Sequence, residues 1–225
     1  MAIAIEYAFQ IGLETAYGDG AASFTDLPVF VDGRPKLIKD IHESEIYRGS
    51  LARSTFYLGK KHSEVDAKFF LKGSGAAGTA PELSKLLQIF GLKETITGGV
   101  SVAYAPDDAT DDKSGGVKIN LSGFQYYMKG VRGSLKIPLI AGQPVLCEAK
   151  LMGLFNAPTA VSLPSVSYTD LAVDPPTVQT MALLVGGNSH VIPSFTINIE
   201  NQIEADDSIN AASGQNGINE FVIVR

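Results

Sequence analysis

The sequence has no tryptophan, one cysteine and three histidines among its 225 residues. A lone cysteine, Cys147, excludes an internal disulfide framework and reads as a small buried hydrophobe. His42, His62 and His190 are scattered, without H-x-x-x-H spacing or cysteine pairs, so no metal site is supported. Basic charge is scarce as well: 18 Lys and Arg stand against 24 Asp and Glu, a formal net charge of -6. A protein that grips DNA through its phosphates usually carries the opposite balance. No apolar run is long enough to span a membrane. The opening MAIAIEYAFQ lacks the basic n-region of a secretory signal. There is no G-x-S-x-G elbow, and nothing singles out two of the acids as a catalytic pair. The reading is a non-enzyme with no catalytic, cofactor-binding or metal-binding residue.

What is present is a globular composition, 45% hydrophobic and 19% charged. The length suffices to bury a core, and residues 1–225 are taken as one domain. One helix is expected, over about residues 80–90. Leu83, Leu86, Leu87 and Phe90 fall at i, i+3, i+4 and i+7, an apolar stripe that needs something to dock on. Thr79 and Glu82 have capping-box spacing, Pro81 suits a first turn, and Gly91 suits the left-handed helix end.

Nearly everything else reads as strand and turn. Val117, Ile119 and Leu121 alternate with Lys118, Asn120 and Ser122, and Phe195, Ile197 and Ile199 alternate with Thr196, Asn198 and Glu200. Segments 95–105, 117–122, 131–140 and 145–155 form a meander at short spacing, the pattern of an antiparallel sheet. A bulge is expected at Gly98-Gly99 in the first of them. Leu27–Val31 reads as a short strand before an Asp32-Gly33 turn, and 221–224 as the last strand. Residues 1–26 read as an arm or an edge strand, and 34–63 as a long polar excursion. The aspartates at 107, 108, 111 and 112 lack the order of an EF-hand and read as a solvated hairpin tip.

GSGAAG at 73–78 matches G-x-G-x-x-G literally and lies between a strand and a helix. A dinucleotide site also needs alternating helices and strands, and only one helix is found. Pro81 further removes an N–H from the first turn. A joint leading into a docked helix is the better reading.

Several runs occur in an order that resembles the tail tube proteins of long-tailed, siphovirus-like phages. They are ETAYGDGAA at 14–22, FFLKGSGAAGTAPELSKLLQIFGL at 69–92, VSVAYAPD at 100–107, MKGVRGSLKIPLIAGQP at 128–144 and PSFTINIENQIEADDSINAASG at 193–214. The resemblance implies an antiparallel β-sandwich or barrel-like tail-tube fold with one flanking helix. It implies a structural virion protein, made in the host cytoplasm, whose hexameric rings stack into the tail tube. DNA would pass through the lumen during ejection without specific binding, and the lumen should be net acidic. The partners implied are the chain itself and the tape measure, tail-tip and tail terminator proteins, with no membrane and no cofactor. The arm at 1–26 and the loop at 34–63 would join one ring to the next. The tube of a contractile tail or secretion system is an alternative of the same kind. A β-sandwich adhesion or carbohydrate-binding module is another, although tryptophan is absent and Tyr126-Tyr127 is the only adjacent tyrosine pair. A nucleotide-dependent enzyme built on the glycine loop is the third.

Overall fold

The computed structural model describes residues 7–29, 33–43, 56–106, 113–168, 173–179, 183–207 and 218–224. The described chain is mostly antiparallel β. A large sheet runs in the order β2-β1-β7-β8-β9-β4-β3: β2 (Thr25–Asp26), β1 (Tyr7–Leu13), β7 (Gly115–Leu121), β8 (Phe124–Ile140), β9 (Leu146–Leu154), β4 (Phe56–Phe70) and β3 (Pro35–Glu43). Two more strands, β10 (Thr159–Ala160) and β13 (Ser194–Ile199), pair with β8 off that path. Three hairpins stand apart: β5 (Leu92–Thr97) with β6 (Ser101–Pro106), β11 (Leu183–Val185) with β12 (Asn188–His190), and β14 (Gln202–Asp207) with β15 (Ile218–Val224). The sheet does not close into a barrel.

β8 is the spine. Its first half pairs β7 and β10, and its second half pairs β9 and β13. The register shifts around Gly130 on both sides, and Gly130 itself has φ 58. Such a bulge bends a strand, so the two halves of the sheet face different ways. Phe9, Ile11, Val117 and Ile119 from one half and Val65, Phe69, Leu135 and Leu151 from the other line a single core.

The one helix, α1 (Ser84–Ile89), is shorter than expected and is not capped by Thr79. Leu83 occupies the N-cap position without a side-chain bond. The Thr79 N–H donates to the Ala76 carbonyl (3.3 Å) and its own carbonyl accepts the Ser74 hydroxyl (2.8 Å), so the backbone of Thr79 is bonded within the loop. Gly91 has φ 79 and donates its N–H to Gln88 O, as a left-handed helix end does. Leu83, Leu86, Leu87 and Phe90 are buried in the core, and so is Ile89. A Cβ on Gly115 would overlap Ile89 Cδ1, so β7 has glycine where the helix presses closest. Leu87→Ala is expected to lose roughly 2–5 kcal/mol, read from the urea midpoint. A loss under ~0.5 kcal/mol would contradict this burial.

Other expectations are corrected. Gly98-Gly99 is no bulge but the turn of the β5–β6 hairpin, with Thr97 paired to Ser101 and Gly99 at φ 70. Ser122 (φ 47) and Gly123 (φ 86) form a two-residue turn after β7, and β8 begins at Phe124, before the 131–140 expected. The described part of the excursion at 34–63 is β3 and the first half of β4, paired from Pro35↔Val65 to Glu43↔Phe56. Residues 7–13 are neither arm nor edge, because β1 lies between β2 and β7 with Ala8, Phe9 and Ile11 buried. Leu27–Val29 is not strand, while Val31, Asp32 and the acidic stretch 107–112 lie outside the described residues.

Candidate functional site

The surfaces of this chain are held in place by a few polar joints. Glu14 follows β1 and is buried. Its carboxylate accepts the Ser114 hydroxyl (2.8 Å) and the N–H groups of Gly18 (3.0 Å) and Gly130 (3.1 and 3.2 Å). Those bonds offset the cost of burying the charge. The Tyr17 hydroxyl donates to Gly130 O (2.9 Å) and accepts from Phe221 N (2.7 Å). Burial pushes that phenol well above its ordinary pKa, so it stays a neutral two-way bridge. The Arg132 guanidinium lies 5.7 Å from the centre of the same ring. One loop thus clamps the bend of β8 and the terminal strand β15. A second joint is Asn201, whose amide donates to Phe90 O (2.9 Å) and Gly133 O (2.8 Å), tying the helix end to β8. A Cβ on Gly133 would lie 2.7 Å from the Phe90 ring and 2.5 Å from Lys150 O. The runs ETAYGDG, MKGVRGS and IENQ therefore meet in space as architectural contacts.

The second half of the sheet presents two unlike faces. Toward the core it turns Val65, Ala67, Phe69, Cys147, Ala149 and Leu151. The opposite face is a ladder of charge: Lys68–Glu148 (3.0 Å), Lys36–Asp66 (2.5 Å), Lys150–Glu64 (3.8 Å) and Lys136–Glu148 (3.9 Å). Among the described strands, β3 and β13 each pair on one side only. Residues toward the core side are uncovered at both edges: Leu37 on β3, and Phe195 and Ile197 on β13. The far end of the β3–β4 hairpin exposes more apolar surface, with Phe56 62%, Tyr57 57% and Leu58 57% accessible.

The glycine loop borders a groove of about 500 Å³ whose other walls include Leu71, Leu83, Leu87, Val102 and Tyr104. The Tyr104 hydroxyl donates to the Glu94 carboxylate (2.8 Å), and burial pushes its pKa up to about 12. The loop is stapled by Ser74, whose hydroxyl reaches the carbonyls of Ala76 (3.0 Å) and Thr79 (2.8 Å). The helix behind it spans six residues and offers little dipole to a pyrophosphate. Millimolar NAD or ATP is therefore expected to leave the melting temperature unchanged. A rise of several degrees would contradict that. Among the described residues, no three His, Cys, Asp or Glu side chains come together as metal ligands.

Sequence reasoning named the helix stripe but missed Glu14, Tyr17 and Asn201 as joints. Their only local signal is a polar residue beside glycines, as in E-T-A-Y-G-D-G. No curated protein matches the chain. The family model described as phage tail tube protein matches residues 7–223, and the chain accordingly belongs to the phage tail tube protein family.

Proposed function

We propose that this chain is the subunit of a phage tail tube, closing into hexameric rings that stack around a DNA-conducting lumen. Family membership supports a structural role in the tail. The observation that carries the ring is that, among the described strands, β3 and β13 leave open edges on the two sides of one half-sheet. An unpaired edge with apolar flank is a template for another chain, and two such edges on opposite sides give a head-to-tail contact that a ring satisfies. If β3 of one subunit lies beside β13 of the next, Leu37 meets Phe195 and Ile197, and the core continues from copy to copy. The docked helix, through Leu83, Leu86, Leu87 and Phe90, braces the sheet from its core side. The far part of the β3–β4 hairpin would reach from ring to ring.

In this reading the ladder face lines the lumen. Exposed ion pairs add little stability, so their value here is the surface they present. The face is not the net acidic surface expected above, since Lys36, Lys68, Lys136 and Lys150 share Glu64, Asp66 and Glu148. But an ammonium already paired with a carboxylate is a poor partner for a passing phosphate, and the chain's net charge of -6 repels DNA further. The tape measure, tail-tip and terminator proteins would be the further partners, in the virion and during assembly in the host. Leu37→Asp and Phe195→Asp, both at exposed edge positions, test the ring. Each is expected to keep a cooperative melt yet remain a single subunit by sedimentation when the unaltered chain assembles. Assembly equal to that of the unaltered chain would reject these edges as the contact.

A further inference from the structure

β4 carries two features at its opposite ends. At its start, Phe56, Tyr57 and Leu58 stand more than half exposed at the far end of the β3–β4 hairpin. At its end, the chain leaves Phe70 and runs directly into Leu71, Lys72 and the glycine loop that wall the apolar groove. The strand has 15 residues, and at about 3.3 Å per residue it spans roughly 45–50 Å. The apolar end of the hairpin therefore cannot fill the groove of its own subunit. A second copy displaced along the strand axis can bring its own hairpin there.

We infer that the Phe56–Leu58 end of one subunit's hairpin seats in the glycine-loop groove of a second copy in the adjoining ring. This rests on the tube reading and names the receptor for its stacking contact. Apolar side chains meet apolar walls: Leu71, Leu83, Leu87 and Val102. Among the described residues lining the groove, Lys72 is the one charged side chain. The described end of the hairpin carries the exposed carboxylates Asp40 and Glu43, Glu43 directly across from Phe56. The contact is heterologous, with knob and hole on different surfaces, so it propagates without closing, as an axial stack must. The glycine loop thereby acquires a role that needs no nucleotide: its small residues leave room for an incoming aromatic ring.

The test is a mixture of two single variants, Tyr57→Cys and Ala77→Cys, both at exposed positions. Cys147 is buried and does not compete. The variants are assembled together and oxidised with Cu(II)–phenanthroline. Two thiols give up two protons, two Cu(II) take one electron each, and one S–S bond forms between copies. A covalent dimer on a non-reducing gel is expected from the mixture and from neither variant alone. In parallel, the double change Phe56→Asp with Leu58→Asp is expected to give rings that no longer stack, with an unchanged melt. Tubes without the cross-link, or tubes of normal length from the double variant, overturn this interface and leave the tube reading standing. If the unaltered chain forms neither rings nor tubes beside a tail-tip nucleus, the tube reading itself fails and this contact falls with it.

Discussion

A chain lacking residues 1–26 is expected to lose its cooperative thermal transition altogether. Read as an arm, that segment would come off cleanly. Its described part instead supplies β1, hydrogen-bonded to β7 along seven residue pairs from Tyr7↔Leu121 to Leu13↔Gly115. Ala8, Phe9 and Ile11 have 0–1% accessibility. Truncating one such core side chain typically costs roughly 2–5 kcal/mol. Removing Phe9 and Ile11 together, with a whole strand, exceeds much of the 5–15 kcal/mol that holds a domain folded. The deletion also removes Glu14 and Tyr17, leaving the Gly130 N–H and the Ser114 hydroxyl without the partner they have now. Circular dichroism melting checks this. A sharp transition in the deleted chain would contradict the inner-strand assignment. Loss of tubes by this variant would then report unfolding, so it says nothing about stacking.

Gly130→Ala is expected to destabilise the subunit by roughly 2–6 kcal/mol, from two sources. The backbone there has φ 58, a conformation that costs a non-glycine residue about 1–3 kcal/mol. The new Cβ would also sit 2.4–2.7 Å from Tyr17 ring atoms. Tyr17 cannot swing aside freely, because its hydroxyl bridges Gly130 O and Phe221 N. Overpacking of this kind typically adds about 1–3 kcal/mol. A urea midpoint for Gly130→Ala within ~0.5 kcal/mol of the parent would mean that the bend of β8 does not depend on this joint.

Strands with alternating sequence were legible. Val117 and Ile119 alternate with Lys118, and Phe195, Ile197 and Ile199 with Thr196 and Asn198, a period of two that marks both as strand although β7 is mostly buried and β13 mostly exposed. β1 was not legible: Ala8, Phe9, Ile11 and Gly12 are all buried, so covering on both faces erases the alternation. β3 failed for the opposite reason. Eight of its nine residues are exposed, and PKLIKDIHE reads as polar loop until its partner strand is known. The joints were the least legible of all. Glu14 finds Gly130 across 116 residues, and Tyr17 finds Phe221 across 204. No local period encodes such a meeting. The exposed edges β3 and β13, by contrast, follow only from the strand order, which sequence spacing could not supply.

The central claim is that this subunit builds a tube. Electron microscopy of the full chain, concentrated and mixed with a tail-tip nucleus, tests it most directly. Hollow tubes with six-fold end views are expected, in which the Lys68–Glu148 ladder faces the lumen and the hairpin carrying Phe56 crosses between rings. Particles that remain single 23.8 kDa subunits beside the nucleus, or tubes whose lumen is lined by any other face, would contradict it.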